Sequence, residues 1–171
     1  MQSQKKEVRL VDPILAEIEQ EAETTKRLFG IVPEDKLSWR PHPKAMSLGQ
    51  LALHIAQNPG AVAEFTDADS AQIPDFVQAA AASRAEILEA LAESLRKTKE
   101  FLSSTSDERA LSEWKLMDGD KVVLSMPRAA FWRSMLNHNY HHRGQLSTYL
   151  RQLDIPLPSI YGPSADTIPF G

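Results

Sequence analysis

Apolar side chains recur at the 3.6-residue period in four long stretches of this chain, with proline, glycine or a polar cap at their boundaries. Such a chain must bury four one-sided helices against one another, and the solution is a helical bundle. The first stripe is Ile14, Leu15, Ile18, Ala22, Thr25, Leu28 and Phe29. Asp12 is expected as its N-cap, with Pro13 at the first helical position and Gly30 as the stop. The second helix starts at Ser47, which forms a capping box with Gln50 and precedes Leu48, Leu51, Ile55 and Asn58 on one face. Pro59-Gly60 predicts a kink or a stop, beyond which Ala61 to Phe65 can continue. The third helix is expected over 83–102, opened by a second capping box of Ser83 and Glu86. Its stripe is Ile87, Leu88, Leu91, Leu95, Thr98, Phe101 and Leu102, and the alanine-rich run from Val77 to Ala82 can extend it upstream. The fourth is expected over 127–153, with Phe131, Met135, His138, His142, Gln145 or Leu146, and Tyr149 facing inward.

The connections are irregular. Three prolines forbid a regular helix across 31–46, although one short turn fits at 34–37. Within 103–126, Asp118-Gly119-Asp120 is a turn signal, so a loop or a short two-stranded ribbon is expected before the last helix. Residues 1–10 read as a loose leader, given order late by Val8 and Leu10, and 154–171 as an extended, proline-rich tail. The expected fold is all-α: one domain over 1–171, an antiparallel four-helix bundle with an insertion before its last helix.

Composition narrows the function. The net charge of −4 argues against a broad electrostatic grip on nucleic acid or on anionic membrane. There is no cysteine, which removes disulfides, thiolate metal sites and a cysteine nucleophile. No stretch approaches the roughly 20 apolar residues that span a bilayer. The polar start, Met1 to Glu7, does not read as a secretory signal, so the expected location is the cytoplasm.

The histidines carry the chemistry. His138 and His142 are four residues apart, which puts both imidazoles on one helix face, roughly 6 Å apart along the axis. His54, three residues after Leu51 and next to Ile55, points largely inward on the second helix. If those helices are neighbours, three neutral imidazoles converge in the bundle core. A buried imidazole needs partners for its nitrogens, and one divalent ion satisfies three rings at once while leaving a coordination position open. Packed core histidines without an ion are the competing reading. Zinc or nickel suits the set first, and manganese, iron or cobalt also fits. His-Glu-x-x-His, the zinc-protease spacing, is absent.

Other candidates surround these three. Gln57 is either a partner for a ligand's second nitrogen or a solvated amide. Gln145 and Tyr149 follow His142 at successive turns and can line the same pocket, with a core role favoured for Tyr149. His141 reads as a surface group or as a proton shuttle. Arg143 can meet an anion, a carboxylate across a dimer, or a surface partner. Glu64 is the nearest carboxylate to consider as a base, and Asp166 a remote partner for a ligand histidine. Trp39, Trp114 and Trp132 read as packing anchors, and His42 as a loop residue.

The segment His138-Asn-Tyr-His-His-Arg-Gly-Gln-Leu-Ser-Thr-Tyr-Leu-Arg151 strongly resembles the C-terminal helix of the DinB-like family. Trp39 to His54 resembles that family's entry to its second helix, and Tyr161-Gly-Pro-Ser-Ala-Asp166 an ending found in one of its branches. The resemblance implies an up-down-down-up bundle, a homodimer, and a three-histidine metal site carried over to His54, His138 and His142. Its wider relatives include thiol-dependent transferases and a mycothiol-dependent isomerase. Two functions are therefore open. One is a metal-dependent enzyme that activates water or a low-molecular-weight thiol for hydrolysis or transfer on a small substrate. The other is a non-catalytic metal- or ligand-binding protein linked to stress.

Overall fold

The computed structural model describes residues 8–75 and 77–168. In chain order the elements are α1 (Val11–Gly30), a 3-10 turn (Glu34–Lys36), α2 (Leu48–Phe65), β1 (Ser70–Gln72), α3 (Arg84–Ser104), a short α4 (Asp107–Leu111), β2 (Glu113–Asp118), β3 (Lys121–Pro127) and α5 (Arg128–Gln152). The four expected long helices are present, and α4 and β1 are additions to them.

Cross-helix partners fix the directions. Lys99 of α3 pairs with Glu19 near the start of α1, while Arg84 donates to Gly30 O at its end, so α1 and α3 are antiparallel. Gly60 meets Ser94 and Glu64 meets Lys97, so α2 and α3 run parallel. His54 faces His138 while Phe65 faces Phe131, making α2 and α5 antiparallel. Glu17 pairs with Arg133 and Glu21 with Arg143, making α1 and α5 parallel. The bundle is therefore up-down-down-up. Parallel neighbours cannot be joined by a tight turn, so the chain between α2 and α3 returns along the bundle and carries β1 on the way.

Local chemistry explains most boundaries. Ser47 Oγ accepts from Gln50 N (3.2 Å) and Gln50 Oε1 accepts from Ser47 N (2.9 Å), completing the capping box. At α3 only half of the expected box forms. Ser83 Oγ accepts from Glu86 N, but the Glu86 carboxylate accepts from Ala82 N instead of Ser83 N. The Val77–Ala82 run does not join α3. It lies extended along α2, where Gln50 Nε2 donates to Gln78 O (2.8 Å). Asp12 is not the N-cap of α1, which begins one residue earlier at Val11. Its carboxylate accepts from the Arg9 backbone N–H and guanidinium, and Arg9 also donates to Ser103 O (2.7 Å). Polar ties through Arg9 order the visible end of the leader, whereas Val8 and Leu10 are exposed. Residues 1–7 of the leader and 169–171 of the tail lie outside the described residues.

Pro59 sits inside α2 without ending it. Pro59 has no N–H to give Ile55 O, and one residue further on Ser94 of α3 engages the α2 backbone. Its hydroxyl accepts from Gly60 N–H (2.7 Å) and donates to Gln57 O (3.3 Å). Gly60 permits that approach, because a Cβ there would lie 2.9 Å from Ser94 Cα.

The insertion is a three-stranded sheet ordered β1-β2-β3, parallel between β1 and β2 and antiparallel between β2 and β3. Gly119 turns the hairpin at φ +57°, where a primed two-residue turn favours glycine. Arg128, the first residue of α5, is fully buried. It donates to Thr66 O (3.1 Å), Ala68 O (2.9 Å), Asp69 Oδ1 (2.6 Å), Ser112 Oγ (2.5 Å) and Glu113 O (3.2 Å). One cation thereby joins the end of α2, the approach to β1, and the α4–β2 junction, and its donors are satisfied without water.

The apolar core has two parts. One collects Leu28, Phe29, Leu51, Ile55, Ile87, Leu146 and Leu150, and the other Val11, Ile14, Trp114, Phe131, Trp132 and Leu136. Along α5 the core residues stop at Leu136 and resume at Leu146, apart from the buried Arg143. The intervening turns carry His138 and His142. None of the helices, among the described residues, is long and apolar enough to cross a membrane.

Two glycines give opposite expectations in urea unfolding. Gly60→Ala should lose about 1–3 kcal/mol by forcing α2 and α3 apart. Gly144→Ala, where a Cβ meets nothing within 4 Å, should gain about 0.5–1 kcal/mol from restricted unfolded-state freedom. Equal effects at the two positions would show that the α2–α3 contact is not tight.

Candidate metal centre

His54 sits in the middle of α2 because its neighbours Leu51, Ala52, Leu53 and Ile55 are held in the core, which turns its ring toward α5. His138 and His142 occupy one face of α5, one turn apart, opposite it. Ring centroids are 5.3 Å apart for His54–His138, 4.6 Å for His54–His142 and 4.4 Å for His138–His142. One nitrogen from each ring lies within 4.8 Å of the others. His54 Nε2 and His138 Nε2 are 3.1 Å apart. Two tetrahedral ligands at roughly 2.0–2.1 Å from one ion stand about 3.3 Å apart, so the pair already has near-ligand spacing. The rings are half-buried, not enclosed in the core as the stripe on α5 predicts.

The back of the cluster sets its protons. Gln78 Oε1 lies 3.1 Å from His54 Nδ1, and Gln145 Oε1 lies 2.7 Å from His142 Nδ1. An amide oxygen only accepts, so each Nδ1 carries the proton and each Nε2 keeps a lone pair. The far end of the Gln78 amide donates to Gln57 Oε1 (3.3 Å) and Ala79 O (3.2 Å), which fixes its orientation. Such contacts orient metal-binding histidines and select their tautomer. His138 Nε2–H then donates to the free Nε2 of His54, and that proton must move to Nδ1 for all three Nε2 edges to accept one cation. The donor set therefore fits a single divalent ion.

Burial lowers the basicity of the cluster. Desolvation, then the nearby His54 and His141 charges, holds His138 below its ordinary value. Desolvation also depresses His142 to about 4; the Gln145 contact opposes this, and the other histidines add to it. His138 and His142 are neutral at pH 7, as cation ligands must be.

Beside the cluster a cleft of about 690 Å³ opens between α2, α3, the sheet and α5, and His54 and His138 form part of its wall. Among the described residues no fourth His, Asp or Glu joins the three histidines.

The other expected residues divide. Gln145 touches His142, and Gln57 reaches His54 only through Gln78. His141 is exposed, its ring 5.1 Å from that of His142. Tyr149 is not in the site. It packs edge-on against Trp39 (5.6 Å) and donates to Met46 O. Arg143 is neither a surface group nor an anion site. It is 3% exposed, paired with Glu21 at 2.5 Å, and lies over the Tyr140 and Tyr161 rings. Asp166 pairs with Arg151, and Glu64 with Lys97, so neither reaches a histidine. Trp114 and Trp132 are buried, and His42 stays in its loop, accepting from Lys44 N. Gln78 escaped the sequence reading, because nothing periodic in its segment fixes where its side chain points.

Comparison with known proteins agrees with this fold. The family model described as "DinB family" matches residues 1–168. The chain belongs to the DinB family. Within it, the chain is 25% identical over 162 residues to the uncharacterized protein YrdA of Bacillus subtilis, covering 91% of this chain and 90% of that protein. A DinB-like protein from Bacillus cereus shares its fold with a TM-score of 0.72 and 22% identity, over 88% of this chain and 97% of that one. A second, from Bacillus subtilis, gives 0.67 and 19%, over 87% and 97%. These solved structures share the helical bundle of this DinB-family chain.

The depressed histidines predict a pH effect on the ion-free protein. Between pH 6.5 and about 4 the unfolded chain takes up protons that folded His142 refuses, so stability falls as pH falls through that window. Above it the contribution is level. Thermal unfolding in chelator should show a lower melting temperature at pH 5 than at pH 7, with a shallower drop in His142→Asn. Equal melting temperatures at the two values would contradict the desolvated state of these rings.

Proposed function

We propose that the chain is a metal-dependent enzyme in which His54, His138 and His142 hold one divalent ion beside a small-molecule cleft. The observation that carries this reading is the set of three convergent imidazoles, two with Nε2 freed by amide partners, beside an open cleft and, among the described residues, without a fourth carboxylate or imidazole. A purely structural ion is usually enclosed by four protein ligands, whereas a catalytic one keeps a position for its reactant. When bound, such an ion supplies Lewis acidity and favours the deprotonated form of water or a low-molecular-weight thiol. Zinc or nickel suits three imidazoles best, with manganese, iron or cobalt also compatible.

The chain's own residues then have separate tasks. Gln78 and Gln145 hold His54 and His142 with their Nδ1 protons turned away from the centre. The cleft excludes water from one side of the centre and positions the substrate. His141, exposed beside His142, is placed to exchange protons with solvent. The reaction class is hydrolysis or transfer on a small molecule. We take the protein to act in the cytoplasm and, as the family resemblance implies, as a homodimer.

His138→Ala and His142→Ala should each reduce metal content to near zero by elemental analysis while the helical circular dichroism survives. Full occupancy in either variant would refute the site. Gln145→Leu should weaken metal affinity about 10–100-fold without unfolding the protein. Removing the ion should lower thermal stability, by about 2.7 kcal/mol where free metal had stood at a hundred times its Kd. An unchanged melting temperature after verified metal loss would separate the ion from the fold.

A further inference from the structure

The cleft beside the three histidines is graded in polarity along its length. It follows α2 from His54 to Phe65, eleven residues or about 16 Å of helix. Its uncharged polar side chains Gln57, Asn58 and Gln78 gather at the histidine end, and Ser94 is taken up by the α2 backbone. Beyond them the wall is Ala61 and Val62 of α2 and Met135 of α5, while Ala90 of α3, one turn before Ser94, stands level with Gln57. The far end is closed by Phe65, Phe131 and Leu116. The charged side chains in the wall are already paired, Lys97 with Glu64 and Glu93 with Arg96 at 2.8 Å. A charged guest lying along the cleft would find no free counterion, whereas an apolar one would remove apolar wall from water. The volume of about 690 Å³ is that of a small-molecule pocket.

We infer that the ligand of this cleft is an elongated amphiphile, with a polar metal-seeking head at His54, His138 and His142 and an uncharged aliphatic or aryl tail along α2 toward Phe65 and Phe131. This rests on the metal-centre reading and adds the substrate class to it. Ala61 is the residue that sets how bulky a tail is accepted, because its small side chain leaves the cleft open beyond Gln57.

Straight-chain hydroxamic acids test the inference, since the head stays constant while the tail grows. The full chain is loaded with zinc, its metal content verified, and titrated by calorimetry with acetohydroxamate and octanohydroxamate. Each buried methylene should tighten binding about fourfold. Octanohydroxamate should therefore bind at least about a hundred times more tightly, even with only three or four methylenes buried. An eight-carbon hydroxamate ending in a carboxylate should lose most of that gain. Ala61→Phe should reduce the gain to under about tenfold while leaving zinc content and acetohydroxamate binding intact. Ala61 is exposed, so the larger side chain does not disturb the core.

Failure to load zinc would strike at the metal centre itself. Zinc loading and acetohydroxamate binding with no gain from the longer chain would overturn the tail assignment alone. A gain that survives Ala61→Phe, or a terminal carboxylate that binds as well as a methyl, would equally overturn it.

Discussion

The middle of α5 imposes the governing constraint on this bundle: Arg143 and the two histidines leave water there and find partners, whereas the buried Oδ1 of Asn139 beside them accepts no hydrogen bond from the described residues. His138 and His142 face α2, and Arg143, a residue further round, faces α1. The guanidinium donates to Glu21 O and Thr25 Oγ1, pairs with the Glu21 carboxylate, and donates to the Tyr161 hydroxyl. The histidines turn to Gln78, Gln145 and one another. Leaving any one of these groups without a partner would cost more than a typical hydrogen bond contributes. The polar middle therefore dictates how α1, α2 and α5 are placed, and the apolar clusters on either side accommodate it.

The two polar sets have different exposures and different capacities. The Arg143 set is closed, with its donors directed at atoms of the chain. The histidine set is half-open, and its partners lie behind the rings, so the Nε2 edges point toward a common centre. A shared spacing on one helix thus produces a structural lock toward α1 and a ligand-ready face toward α2. Arg128 provides a second lock at the other end of α5, holding the sheet against the bundle and fixing the wall that Leu116 contributes to the cleft.

Much of this was legible in the residues. Periodicity located the four long helices, Ser47 and Gln50 marked a start, and the four-residue step from His138 to His142 indicated a shared face. His54 joined them because its inward direction followed from Leu51 and Ile55. Features held by long-range partners were not legible. Neither α4 nor β1 has a pattern long enough to stand out, and Arg128 looks like any helix-start arginine until its five acceptors are known. Tyr149 shares the helical phase of His142, and the core role favoured for it agrees with its packing on Trp39 and its bond to Met46 O. Gln78 lies where phase has no meaning, since an extended, irregular segment gives no rule for side-chain direction.

Ser94 lends its hydroxyl to the backbone of a neighbouring helix, and that loan has an architectural meaning. His54 lies on one side of Pro59 and Phe65 on the other, so the two ends of the cleft lie on either side of the turn of α2 where Ser94 is seated. A change at Ser94 would be felt between those ends without touching a histidine. Descendants of such a bundle can reshape the far end for new guests while the histidines stay where they are.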